Sequence, residues 1–472
     1  MIAALALLVV AQTQATEPAA NPAGQQPAAP QPAVAARPSA PVAPQRPDTA
    51  QLYAQLFPPA EGDEDTQPLE EPIFEYEAGV ARPEDDTRGD FGLGPLRFRP
   101  SITFSYVSAD SAFFAGAVED EEDYFQVQPS LGFRFALPGL RFGRLAVTYE
   151  PRFRAFTDVA QLRKATHEVI ASFDAPAGST VDYGISDHFT AGILETTQVD
   201  PGREYFPTLS RFERNMLSGY VRLRPGAFRV EAGGSTERVR FGDEEVVGFT
   251  EYDRHRARFA PLYAIGEDFQ VGPRYEFERI PPHETRPAQE STAHSILFGV
   301  QRGVESGSLL TGHAWVGYRS QDSPQAGPGG RTFEDAVFDV ALQKEFTRDW
   351  RLRLHAGRLP QLSGFETNAF YVNRYVGAEL SIPLPAEVIF AATAMRNDNE
   401  YRVASSLGPP REDEITSWSV GLGRSITRYA FLRVDYRDEE RDSNLDAFDI
   451  DAQAVIVQLG IGVFGPPISI NR

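Results

Sequence analysis

The chain contains no cysteine, which excludes a disulfide scaffold, a thiolate zinc site, an iron–sulfur protein and a cysteine nucleophile. It is short of positive charge: 45 Lys and Arg stand against 66 Asp and Glu, a formal net charge of −21. A chain of that sign is a poor ligand for nucleic-acid phosphates, which demand clustered Lys and Arg, so no nucleic-acid partner is expected. It also lacks, beyond residue 20, any uninterrupted apolar run of about 18 residues, the length a membrane-crossing helix needs. A mean hydropathy of −0.33 would by itself pass for a soluble protein. The 472 residues would suggest about three domains as a prior, although barrels run longer as single units.

The first 95 residues fall into three textures. Ile2 to Ala11 form an apolar run followed by small residues at Thr13 and Ala15, the pattern of a secretory signal over residues 1–15, without the usual Lys or Arg ahead of it. Residues 16–47 are Ala/Pro/Gln-rich, as in PAAPQPAVAARPSAPVAPQRP, a composition that favours an extended, disordered tether. Residues 48–95 hold 13 acids against Arg82 and Arg88, contributing −11. They read as an acidic, mostly irregular periplasmic segment.

From Leu96 onward the chain alternates with period 2, the mark of strands with two chemically different faces. Tyr124–Ala136 puts Phe125, Val127, Leu131, Phe133 and Phe135 on one face and Gln126, Gln128, Ser130 and Arg134 on the other. Trp350, Leu352, Leu354 and Ala356 alternate with Arg351, Arg353 and His355, and Ala430, Leu432, Val434 and Tyr436 alternate with Phe431, Arg433, Asp435 and Arg437. The last strand sets Val455, Val457, Leu459, Ile461 and Val463 opposite Gln458, Gly460 and Gly462.

The connections alternate too. Tight turns fall near Pro138-Gly139, Pro176–Ser179, Pro225-Gly226, Gly266–Asp268, Glu305–Gly307, Thr347–Asp349, Leu384–Ala386 and Ser425–Arg428. Between them lie nine longer segments, among them Ser108–Glu122, Thr196–Ser210 and Asn397–Glu412. Eight short and nine long connections join 18 antiparallel strands with both ends on the short-turn side, the layout of an outer-membrane barrel. Strand segments of about 11 to 14 residues suit a tilted strand crossing lipid better than the five or six of a soluble sheet. The expected fold is therefore all-β, a closed antiparallel transmembrane barrel of about 18 strands over residues 96–464, with a tail over 465–472.

Three stretches carry a resemblance to a known family: LRFRPSITFSYVSADSAFF with DEEDYFQVQPSLGFRF; NAFYVNRYVGAELSIPLPAEVIFAATAMRNDNEYR; and ITRYAFLRVDYRDEERDSNLDAFDIDAQAVIVQLGIGVF. Over residues 96–464 the chain resembles the β-barrel porins associated with exopolysaccharide and capsule loci of Gram-negative bacteria. The resemblance lies in strands and turns rather than in residue motifs. It implies an outer-membrane location, bilayer lipid around the barrel, a pore linked to export of a surface polysaccharide with periplasmic export components as partners, and no catalytic residues. Such barrels usually stop on a C-terminal aromatic, whereas Phe464 is followed here by GPPISINR.

With the apolar faces outward, Arg134, Arg152, Arg154, Arg222, Arg224, Arg254, Arg256, Arg258, Arg274, Arg351, Arg353, Arg433 and Arg437 point into the lumen. Glu150, Glu231, Glu276, Glu278, Asp339, Glu379 and Asp435 share that face. This wall reads either as interleaved ion pairs or as an excess of guanidinium lining a path for a polyanion such as an acidic polysaccharide. General diffusion of small solutes and a plugged structural or adhesive barrel are the other readings.

No metal, cofactor or enzymatic activity is expected. None of the seven His sits in an HExxH pair and no GxSxG elbow occurs. Ser186, Asp187 and His188 are adjacent on a strand and so point to opposite faces. Asp442–Asp446 starts like a calcium loop but has Ala447 where Gly is needed and Gln453 where Glu is needed.

Overall fold

In the computed structural model the described residues are 91–93 and 96–462, less parts of the connections (110–121, 138–142, 157–163, 177–179, 194–210, 242–250, 267–268, 283–289, 303–309, 325, 327–329, 348–349, 364–368, 404–408 and 428). The signal, tether and C-terminal tail expected from the sequence lie outside them, as does most of the acidic segment. A short strand β1 (Phe91–Leu93) lies inside that segment.

Eighteen longer strands follow. They are β2 (Leu96–Ala109), β3 (Glu122–Leu137), β4 (Gly143–Phe156), β5 (Lys164–Pro176), β6 (Val181–Ile193), β7 (Arg211–Leu223), β8 (Phe228–Phe241), β9 (Tyr252–Ile265), β10 (Phe269–Ile280), β11 (Ser291–Arg302), β12 (Leu310–Asp322), β13 (Thr332–Thr347), β14 (Trp350–Leu362), β15 (Phe370–Leu384), β16 (Val388–Tyr401), β17 (Glu412–Thr427), β18 (Ala430–Ser443) and β19 (Ile450–Gly462).

Each strand pairs antiparallel with the next, and β19 returns to β2 from Ala454↔Ala109 to Gly462↔Ser101, which closes the barrel. The 18 strands and the alternation of short and long connections agree with the sequence reading. Closure matters because lipid offers no water to bond an exposed strand edge. β2 begins five residues below its last β19 partner. Over that overhang β3 holds one edge (Leu96↔Phe135), and β1 pairs through Phe91↔Phe98 and Leu93↔Leu96. Among the described residues no helix is long and apolar enough to cross a membrane; the strands do the crossing.

The two faces separate residue by residue. On β11, Ile296 is 67% and Phe298 59% exposed while Leu297 between them is 3% exposed. On β19 Val455, Val457, Leu459 and Ile461 face outward while Ala454, Ile456 and Gln458 are buried inside. Aromatics bound the outer apolar band. Phe228 and Tyr263, 5.5 Å apart, stand near the short turns with Trp350 and Tyr429, and Tyr106–Phe125 and Trp418–Tyr436, each 5.1 Å apart, mark the other side. These are the interfacial girdles of an outer-membrane barrel. Above Trp418 the outer face turns charged, with Arg396 held by Asp398 at 3.1 Å and Glu414 at 2.7 Å. The strands therefore run past the lipid band on the long-loop side.

The inner face holds an apolar cluster that links Ala260, Leu262, Leu297, Trp315 and Val337 to Ala326, Phe333, Ala369, Phe370 and Val372. Trp315 lies over Gly299 on the neighbouring strand, where a Cβ would meet its ring, and the Arg274 guanidinium sits 4.6 Å from the ring centroid. The outward apolar residues set a direct expectation for stability. Val457→Arg should cost about 2–4 kcal/mol of folding free energy in bilayers, whereas Gln453→Arg, exposed on the same face beyond the band, should cost little. Denaturant titration of vesicle-reconstituted protein measures both.

Candidate functional site: the lumen wall

All 13 arginines selected from the sequence lie on the inner side of the wall. Arg134 is on β3, Arg152 and Arg154 on β4, Arg222 on β7 with Arg224 just past its end, and Arg254, Arg256 and Arg258 on β9. Arg274 is on β10, Arg351 and Arg353 on β14, and Arg433 and Arg437 on β18. Each strand arginine shares the parity of its strand's inward-facing residues. On β9 the inward positions run Tyr252, Arg254, Arg256, Arg258, Ala260, Leu262, with no acid among them.

The acids that hold this wall come from neighbouring strands. Glu237 of β8 accepts from Arg214 Nε at 2.6 Å and lies 3.0 Å from Arg254 Nη2, with the Tyr252 hydroxyl donating to it at 3.3 Å. Glu278 of β10 sits 2.8 Å from Arg256 Nε and 2.6 Å from Arg319 Nη2. Asp413 of β17 takes Arg411 at 2.5 Å and lies 3.8 Å from Arg441, and Arg411 is placed 4.5 Å from the Tyr401 ring and 4.0 Å from the Phe448 ring.

Three carboxylates are thus each shared by two guanidinium groups. Within each such set one buried carboxylate faces two cations. Other pairs on the wall include Arg274–Glu276 at 2.8 Å, Arg353–Glu379 at 3.3 Å, Arg433–Asp435 at 2.8 Å and Arg224–Asp182 at 2.5 Å. Glu168 takes both Arg152 at 2.7 Å and His188 at 2.8 Å. The wall is therefore a lattice of interleaved ion pairs.

Sequence reasoning missed Arg214, Arg319, Arg411 and Arg441. Arg214 stands in RFERN, where charges at 211, 213 and 214 blur the alternation, and Arg411 precedes its strand. Only the register between strands pairs them with their acids. Ser186 and His188 do face the lumen while Asp187 bonds Asn215 on the outer face at 3.0 Å, so the three form no relay. Residues 442–446 run from the end of β18 into the β18–β19 connection, and Ser443 Oγ donates to Asp413 at 2.8 Å. Among the described residues no group of three His, Asp or Glu is arranged to hold a metal ion.

Along the barrel axis the lumen is asymmetric. Inner side chains nearest the long loops, including Val107, Phe212, Val239, Tyr252, Ile280, Phe333, Tyr371, Tyr401 and Ala452, are all buried. Those nearest the short turns, including Arg99, Arg134, Arg222, Arg351 and Arg433, are partly exposed. Solvent thus reaches the wall from the short-turn, periplasmic side.

The family model described as "Putative beta-barrel porin 2" matches residues 221–462, just over half of the chain. No curated protein matches the sequence. Similar solved structures include a BenF-like porin from Pseudomonas fluorescens Pf-5 (9% identity, TM-score 0.44, 79% of this chain and 100% of that one). Two others are the outer membrane protein OpdK of Pseudomonas aeruginosa (12%, 0.40, 77% and 99%) and the siderophore receptor PirA of Pseudomonas aeruginosa (8%, 0.41, 77% and 80%).

The shared carboxylates make a specific demand on the wall. Glu237→Gln should remove the carboxylate that Arg214 and Arg254 share in a buried setting and cost about 3–5 kcal/mol. Removing all three charges together, Arg214→Met with Glu237→Gln and Arg254→Met, should recover part of that loss. Unfolding midpoints in detergent micelles give the comparison.

Proposed function

Because the chain belongs to the beta-barrel porin 2 family and is an outer-membrane β-barrel porin, we propose that its lumen passes anions in preference to cations, and that its cargo is an acidic surface polysaccharide leaving the cell. The observation that carries this reading is the sharing of Glu237, Glu278 and Asp413 by two arginines each, beside a strand, β9, that presents three inward Arg and no acid. A carboxylate- or phosphate-bearing chain entering such a wall exchanges water for guanidinium donors that match it two at a time. Rings and ladders of Arg select anions in pores by the same means. The partly exposed arginines near the short turns would meet such a polymer first, where periplasmic export components would deliver it.

General diffusion of small anionic solutes is the second reading, favoured by one observation. The inner side chains nearest the long loops are buried by their neighbours, which leaves less room for a polymer than for a small solute. The export reading requires that end to open.

Reversal potentials in a salt gradient across planar bilayers test the anion preference. We expect a potential of anion-selective sign, and replacing Arg254, Arg256 and Arg258 by Gln should lower the anion-to-cation permeability ratio by about three-fold or more. Cation selectivity in the unaltered protein would count against the proposal. A deletion strain tests the cargo: surface polysaccharide should fall sharply, and normal surface polymer with slower uptake of small anions would favour the second reading.

A further inference from the structure

One seam in the sheet behaves unlike the others. The β13–β14 ladder runs from Thr347↔Trp350 to Phe338↔Arg358 and ends there among the described residues. Both strands continue. β13 stays paired with β12 up to Thr332↔Asp322, and β14 stays paired with β15 up to Leu362↔Phe370. The sheet therefore forks between β13 and β14, while β15 stays paired with β16 as far as Tyr371↔Tyr401.

The sequence supplies the cause. Continuing the register beyond Phe338↔Arg358 would set Ala336 against Pro360, and proline has no N–H to donate to the Ala336 carbonyl. That carbonyl instead accepts from the Arg358 guanidinium, while the Ala336 N–H donates to Asp335 Oδ1 at 2.7 Å. Arg358 Nη2 in turn reaches Asp335 Oδ2 at 2.6 Å. Side chains thus satisfy both backbone groups of Ala336 where the ladder stops. Proline alone does not force a fork: Pro129 opposite Pro151 and Pro261 opposite Pro273 also interrupt their ladders, yet those ladders resume beyond the gap. At Pro360 the freed strand ends are held elsewhere.

They are held by the interior. Leu362 packs against Val239, Tyr252 and Ile280, which stand on β8, β9 and β10, four or more strands away around the wall. Phe370 and Val372 are 1% and 0% exposed within the apolar cluster, although their strand parity would place them on the outer face opposite Tyr371, Asn373 and Tyr375. The end of the β14–β15 pair spans a chord of the lumen on the long-loop side.

We infer that Pro360 and the Asp335–Arg358 clasp turn the strand ends 359–362 and 370–373 inward, and that these ends form the constriction that sets which solutes pass. The inference rests on the reading of the barrel as a pore and locates the control of passage on residues outside the arginine wall. With a donor restored at 360, β14 can rejoin β13 through Glu334 and Leu362, withdraw Leu362 from β8–β10 and widen the long-loop mouth.

The absence of cysteine from the chain makes the test clean. In a Glu334→Cys, Leu362→Cys, Pro360→Val variant, oxidation should join the two strands, seen as a mobility shift in unheated and heated electrophoresis that dithiothreitol reverses. The same Cys pair with Pro360 retained should cross-link far more slowly. Single-channel conductance of the oxidised variant should exceed that of its reduced form by about two-fold or more, so each molecule serves as its own folding control. Equal cross-linking with and without Pro360, failure to cross-link in the Val variant, or identical conductance in oxidised and reduced forms would each overturn the inference. Absence of current from every form, with the cross-link obeying expectation, would overturn the pore reading and leave the placement of the strand ends intact.

Discussion

A backbone amide in the hydrocarbon of a bilayer has no water to bond, and that constraint governs this molecule from end to end. It requires the return of β19 to β2, because an open edge there would leave a row of donors and acceptors in lipid. It also accounts for β1. Among the described residues the five-residue overhang of β2 below Ser101 has no β19 partner, and the three residues Phe91–Leu93 cover much of that edge. Where the sheet forks, at Pro360, the freed groups of Ala336 are met by side chains.

Closure also decides what the inner face can be. With apolar residues assigned to lipid, the polar alternates are forced together in a confined space, and an arginine placed there needs a carboxylate within reach. The wall meets that need by cross-strand pairing. Glu237 lies between β7 and β9, and Glu278 between β9 and β12, so each carboxylate draws cations from strands on both sides. Under the proposed reading, sharing one acid between two arginines gives polar satisfaction and anion preference a common origin.

Much of the architecture was legible because it depends on local patterns. The alternation in Trp350–Gly357 or Ala454–Gly462 needs no partner to be read, since successive side chains on a strand must face opposite ways. The turn chemistry at Pro225-Gly226, with Gly226 at φ 65°, likewise belongs to a few residues. The inward direction of Arg254, Arg256 and Arg258 followed from the same alternation. Their partners did not, because Glu237 and Glu278 lie on other strands and their reach depends on the stagger between strands. Arg411 was hidden for a further reason: it lies outside a strand and is placed by the Tyr401 and Phe448 rings.

Sequence by itself determined the number of strands, the order of short and long connections, and the face of the side chains in the regularly alternating strands, because a period of two and a turn are properties of consecutive residues. Only tertiary structure decided which carboxylate answers which guanidinium and that the inner side chains nearest the long loops are buried. It also decided that Pro360 marks a fork, whereas Pro129 and Pro261 mark mere gaps. Those outcomes turn on what lies across the barrel, and the apolar contacts that carry Leu362 to β8–β10 join residues more than 80 positions apart.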